Sequence, residues 1–133
     1  MNFTKTTSYS LSILSFMAKD EDTKVSADYL HEKLGIPYQY LRQILRNLSK
    51  NGFIRSTRGR NGGFEFRKAA DRIFIADIIE VTEGLESFNR CILGFRECPF
   101  SSRCNLHDVW EETRNNSLRI LRETSLADIV KAK

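Results

Sequence analysis

The sequence predicts a mostly α-helical fold with one small β-hairpin: a winged helix-turn-helix domain extended by a long C-terminal dimerisation helix. Three observations predict it. Two amphipathic stretches meet at Gly35-Ile36-Pro37, the short turn of a helix-turn-helix. Two β-prone runs follow directly, Phe53 to Arg58 and Phe64 to Arg67, on either side of Gly59-Arg60-Asn61-Gly62-Gly63. Such an arrangement reads as a hairpin, here a basic wing. After a break, a helical period returns from about Asn105 to Glu123.

The first helix is expected from Thr7 to Ala18, with Tyr9, Ile13, Phe16 and Met17 on one face and Leu14 at its edge. The polar run Lys19-Asp20-Glu21-Asp22 ends it. Ser26 can cap the second helix, and Val25 and Leu30 have the spacing of a hydrophobic staple. Leu30 and Leu34 face the core, and Gly35 suits the left-handed residue that closes a helix. Pro37 cannot continue that helix but suits the first turn of the next. The third helix then runs to about Asn51, with Leu41, Ile44, Leu45 and Leu48 as a continuous apolar stripe.

Ile75, Ile78, Ile79 and Thr82 mark a fourth helix closed by Gly84. Residues 86–103 have no clean period and read as a loop. In the long helix Leu106, Trp110, Thr113, Ser117 and Leu121 form a stripe that Val109, Leu118 and Ile120 widen. This face has to be buried, and a second subunit is the expected place, since most soluble oligomers are symmetric dimers. Ser125-Leu126-Ala127-Asp128 opens a last short helix. The expected division is a DNA-binding unit over 1–84, a cysteine-bearing loop over 85–104, and a dimerisation helix with C-terminal element over 105–133.

A chain of 133 residues suits one domain and needs no disulfide staple. No run approaches the ~18 apolar residues of a membrane helix. Met1-Asn2-Phe3-Thr4-Lys5 is polar where a signal peptide needs an apolar stretch. The expected location is cytoplasmic, without membrane contact. Three cysteines, an odd number, then read as ligands or redox thiols. The net charge is +4, but Arg42 to Lys68 holds eight basic residues and one acid. That stretch carries a net +7 and leaves −3 for the rest, the footprint expected for nucleic acid.

The second helix of the pair exposes Tyr38, Gln39, Arg42, Gln43 and Arg46 on the side away from its leucines. Arg and Gln form paired hydrogen bonds to guanine and adenine edges in a major groove. The wing tip carries Arg58 and Arg60, and Asn61, Gly62 and Gly63 can bring backbone N–H groups close to a phosphate. Cys91, Cys98, Cys104 and His107 lie within seventeen residues. Thiolates with an imidazole suit zinc, or an iron–sulfur cluster in which His replaces a Cys. The long gaps between ligands favour a cluster in a flexible loop over a compact zinc site.

These residues together resemble the Rrf2 family of bacterial winged helix-turn-helix regulators, which has IscR-like and NsrR-like branches. The resemblance rests on Tyr9, Tyr40-Leu41, Leu48-Ser49-Lys50-Asn51-Gly52, Arg58-Gly59 with Gly62-Gly63, Gly84, the three cysteines, and Ser125-Leu126-Ala127-Asp128-Ile129-Val130. It implies a homodimer, held by the long helix, on palindromic double-stranded DNA. It also implies an iron–sulfur cluster held by three cysteines and one further ligand. In IscR-like members that ligand is a His three residues after the last Cys, which His107 matches. In NsrR-like members it is an Asp of the partner subunit, where this chain has Ser8. The resemblance thus favours [2Fe–2S] over [4Fe–4S]. An acidic residue of IscR-like recognition helices is replaced here by Arg42, so the target sequence does not carry over.

The function expected is a transcription regulator whose cluster senses redox, iron or nitric oxide status. One alternative is a winged-helix regulator with zinc or free redox thiols and no cluster. Another, from a different class, is a thiol enzyme using Cys98 or Cys104 with His107. It leaves the basic wing unexplained.

Overall fold

The computed structural model describes residues 3–89, 91, 93, 95, 99 and 104–131. Among these, six α-helices and a two-stranded hairpin follow one another in the expected order. Helix α1 (Lys5–Ala18) starts two residues before Thr7. Thr4 causes this: its hydroxyl accepts the Thr7 N–H at 3.2 Å and caps the helix two residues early. Ile13, Leu14 and Met17 are buried and form the centre of the core.

Helix α2 (Ala27–Leu34) begins where Ser26 caps it, the hydroxyl accepting the Tyr29 N–H at 3.0 Å. It ends at Gly35, whose φ of 68° a side chain would oppose. His31, expected on the surface, is exposed, and its Nδ1 lies 2.6 Å from the Ile36 carbonyl. Helix α3 (Tyr38–Lys50) starts directly after Pro37, and Leu41, Ile44, Leu45 and Leu48 are all buried. Burial of this stripe fixes the rotation of α3, so its polar face is held outward.

Strands β1 (Ile54–Thr57) and β2 (Gly63–Phe66) pair antiparallel, Ile54 opposite Phe66 and Thr57 opposite Gly63. Val25 joins them with two backbone bonds to Phe64, 2.9 Å and 2.7 Å. The root of the wing is therefore stitched to the start of α2, and the tip projects alone. At Gly63 a Cβ would come 2.7 Å from the Val25 carbonyl oxygen, so this approach requires glycine.

Helix α4 (Ile75–Thr82) buries Ile75, Ala76, Ile78 and Ile79. A 3-10 turn over Leu85–Asn89 follows, in a segment expected to be loop. It forms because the Leu85 N–H finds the Glu80 carboxylate at 3.0 Å and Phe88 buries itself beside the Phe3 ring. A lone aromatic produces no periodicity, so the pattern concealed it.

Helix α5 (His107–Glu123) divides the expected stripe. Leu118 is buried, Trp110 and Ser117 are half-buried, and Leu121 packs against the chain's own core beside α4. Leu106, Val109 and Ile120 point outward, 49%, 63% and 55% exposed. The single seam read from Leu106 does not hold, because packing against α4 decides which residues of α5 turn inward. Helix α6 (Leu126–Val130) opens on a reciprocal cap between Ser125 and Asp128. Backbone bonds from Leu126 to Ile73 (2.9 Å) and from Ile75 to Thr124 (3.0 Å) clamp the end of α5 to the start of α4.

Candidate nucleic-acid interface and cysteine loop

The polar face of α3 is flanked by two grooves. One, of about 510 Å³, is lined by Tyr38, Arg42 and Arg46 of α3, Ser56 and Arg58 of the wing, Ala27, Ser49 and Phe64. Three guanidinium side chains from two elements converge there, and among the described residues no acid lines it. The other, of about 350 Å³, lies on the opposite flank of α3 and is lined by Thr6, Tyr40, Gln43, Ile44, Arg46, Asn47 and Lys50. Arg46 belongs to both. Gln39, Arg42, Gln43 and Arg46 are exposed, and Tyr38 is half-buried. The helix residues and Arg58 expected to face nucleic acid therefore share one surface, and Arg60 and Asn61 are exposed at the tip beyond it.

Charge within this surface is little cancelled. Glu65, the one acid between Arg42 and Lys68, is taken by Arg55 at 2.8 Å. Gly62 differs from its expected part. Its N–H donates to the Gly59 carbonyl at 3.0 Å and closes the wing turn. That N–H is thus used within the hairpin, and the arginines and Asn61 are left to reach a phosphate. Sequence reasoning missed Lys50, Thr6, Ser49 and Ser56 as groove residues, since only the packing brings them beside α3. The neighbouring Asp28 carboxylate first, and burial second, push the Tyr38 phenol above its usual pKa.

The cysteine loop is described in part. Cys98 lies outside the described residues. Cys91 and Cys104 are free, half-buried thiols, and the Cys91 Sγ accepts the Leu93 N–H at 3.4 Å. The His107 N–H donates to the Cys104 carbonyl at 3.0 Å, so the last cysteine leads straight into the first turn of α5. The imidazole is half-exposed, with its Nε2 3.5 Å from Glu111. Among the described residues the one group of three candidate ligands within 4.8 Å of one another is His107, Asp108 and Glu111, and neither described cysteine belongs to it.

A family model, Rrf2, described as an iron-dependent transcriptional regulator, matches residues 3–132. The chain belongs to the Rrf2 family. It is a DNA-binding transcription regulator and not an enzyme, so the thiol-enzyme reading of Cys98, Cys104 and His107 falls away. It is similar to the HTH-type regulator NsrR of Bacillus licheniformis, 31% identical over 98% of this chain and 92% of that one. It is also similar to IscR of Xenorhabdus nematophila, 33% identical over 77% of this chain and 62% of that one. The fold matches that of CymR, the global cysteine regulator of B. subtilis, with a TM-score of 0.81 at 24% identity over 98% of this chain and 96% of that one. No helix among the described residues of this Rrf2 protein is long and apolar enough to cross a membrane.

Proposed function

We propose that this Rrf2 regulator binds a palindromic operator as a homodimer in the cytoplasm, and that an iron–sulfur cluster sets its DNA affinity in response to redox, iron or nitric oxide status. The observation that carries the binding mode is the acid-free groove in which Arg42, Arg46 and Arg58 converge. An α3 lying in the major groove would place Gln39, Arg42 and Gln43 at base edges. Arg46, Arg58, Arg60 and Lys50 would meet the phosphates, which position the protein without reading sequence.

The donor chemistry of the loop fits a cluster. Cys91 and Cys104 are unpaired thiols with access to solvent, and His107 adds a nitrogen ligand. With Cys98 they make three sulfurs and one nitrogen, a set in which His would replace one Cys of a [2Fe–2S] site, and a bound cluster supplies a one-electron couple. Glu111 stands beside His107 Nε2, where a carboxylate can hold the second ring nitrogen of a ligating imidazole. These residues bridge the end of α4 and the start of α5, so ligation would tie the two together. A second reading has a regulator without a cluster, holding zinc or responding through its thiols. Its support is that Cys91 and Cys104 stand apart from the His107 group and that an N–H points at the Cys91 sulfur. Anaerobic reconstitution separates the two. Uptake of iron and sulfide by the wild type, reduced in Cys98→Ala and His107→Ala, supports the cluster. Zinc alone, or no metal, supports the second reading.

A further inference from the structure

A cavity of about 580 Å³ lies between the end of α1, the start of α2 and the wing turn, and shares no lining residue with either α3 groove. Its volume is within the roughly 300–1,000 Å³ of small-molecule sites. Phe16 and Tyr29 make one aromatic wall, their ring centres 6.0 Å apart and inclined at 40°. Met17 adds a thioether, which packs well against an aromatic guest. Tyr29 is 43% exposed, so part of this wall faces open space.

The polar rim is cationic. Lys19, Lys24 and Asp20 line the cavity. Asp20 accepts the Thr23 hydroxyl at 2.7 Å, and Glu21, next along, turns to the Ala70 N–H at 2.7 Å. Among the described residues no carboxylate pairs with Lys19 or Lys24. The Lys19 ammonium lies 5.5 Å from the Phe16 ring centre, a cation–π distance that holds it at the aromatic wall. An aromatic wall beside two unpaired ammonium groups complements a guest with a flat apolar body and one carboxylate. A bare phosphate would match the charge and leave the wall unfilled.

The wing closes this cavity. Gly62 lines it, and the Gly62 N–H shuts the turn that carries Arg60 and Asn61. Val25, also in the lining, bonds to Phe64 of β2. A guest touching both would favour the wing as it stands, with Arg58 in the α3 groove. We propose that the cavity is an effector site for a small aromatic carboxylate, whose binding holds the wing in place and tightens operator binding. This input is separate from the cluster, and its effect on DNA rests on the reading of the wing as a DNA contact.

The test uses the full chain, naphthylacetate as the probe and its uncharged amide as the control. Binding is read by ligand-observed NMR, with melting curves as the check on folding. The wild type should bind naphthylacetate without DNA, and the amide about fivefold more weakly, the worth of an ion pair at an exposed rim. The double change Lys19→Met and Lys24→Met should remove that preference. Tyr29→Ala should weaken both probes, and Thr23→Trp, at an exposed position in the lining, should block both. Saturating naphthylacetate should tighten binding to a duplex enriched by the wild type from a randomised library about fivefold, the low end for coupled sites, and leave Thr23→Trp unmoved. No binding at millimolar probe, or binding that survives both Tyr29→Ala and Thr23→Trp, overturns the site. An amide that binds as well as the acid overturns the carboxylate. A probe displaced by the duplex marks a phosphate subsite and overturns the effector role, as does a bound probe that leaves DNA affinity unchanged. If Arg58→Ala leaves duplex affinity intact, the reading of the wing falls, and the site is still decided by the probe alone. Should Tyr29→Ala fail to fold, Thr23→Trp decides.

Discussion

Arg42 and Arg58 line the same groove but are expected to act differently, and the difference is measurable. Arg58 comes from the wing and in the proposed binding mode meets phosphate, so Arg58→Ala should weaken binding alike on all sequences and lower the salt slope by about 1. Arg42 comes from α3, so Arg42→Ala should relax discrimination at one base pair per half-site by about 1–3 kcal/mol. Salt titrations on matched and mismatched duplexes distinguish the two. Gly62 is constrained by space: a Cβ there would lie 2.2 Å from the Thr57 carbonyl oxygen and 2.9 Å from that of Gly59. Gly62→Ala should therefore cost stability by about 1–3 kcal/mol, as overpacking does, and weaken DNA binding by displacing the wing tip. A melting temperature and affinity equal to wild type would contradict this. The arginines were legible because charge can be counted along a chain. Thr6 and Ser56 were not, because packing remote in sequence brings them beside α3 and no local pattern marks it.

Helices α1 and α4 are joined by a polar knot rather than by apolar packing alone. The Glu83 carboxylate accepts the Thr4 N–H at 2.9 Å and the Thr7 hydroxyl at 2.7 Å, and the Thr7 hydroxyl also meets that of Thr82. Partial burial works to raise the Glu83 pKa, but the bonds from Thr7 and Thr4 outweigh it and hold the group below its usual value. A depressed folded pKa means stability that is present above the ordinary carboxylate value and is lost as pH falls through the folded one. Glu83→Gln should thus lower stability at neutral pH and lose that deficit in acid. Denaturant melts at neutral and acid pH check it, and a deficit constant across that range would contradict it.

Helix α5 offers a second comparison of elements. Leu121 packs on the chain's own core, while Val109 and Ile120 lie outward, so they are the better probes of a subunit contact. Val109→Glu or Ile120→Glu should give a folded monomer at micromolar concentration, whereas Leu121→Glu should reduce stability itself. Sedimentation with circular dichroism separates these, and a dimer that survives both outward changes would exclude this face. Sequence pattern located most elements here because caps and closing residues such as Ser26 and Gly35 are local signals. It misassigned the faces of α5, because which apolar residue turns inward is decided by α4, a partner remote in sequence.

Across the whole molecule the anchor and Cys104 lie at opposite ends of α5. Its C-terminal end is clamped to α4 by the bonds between Ile73, Ile75, Thr124 and Leu126. Its N-terminal end carries His107 and follows Cys104. In the proposed account, ligation at that end would turn α5 about the clamp. In a dimer joined through α5, such a turn would change the separation of the two α3 helices, which has to match about one DNA turn, ~34 Å, or a multiple. Cluster state would then reach DNA with no contact between the two. The coupling needs only about 1–3 kcal/mol, a change of roughly 5- to 150-fold in affinity. The most direct test is the affinity of the anaerobic protein for its enriched duplex, measured at one salt concentration before and after the cluster is loaded and then removed, with iron and sulfide assayed on the same samples. The account predicts an affinity change in that range which follows cluster content and is absent in Cys98→Ala and His107→Ala. A protein that takes up no iron and sulfide, or one whose affinity is the same with and without them, would contradict it.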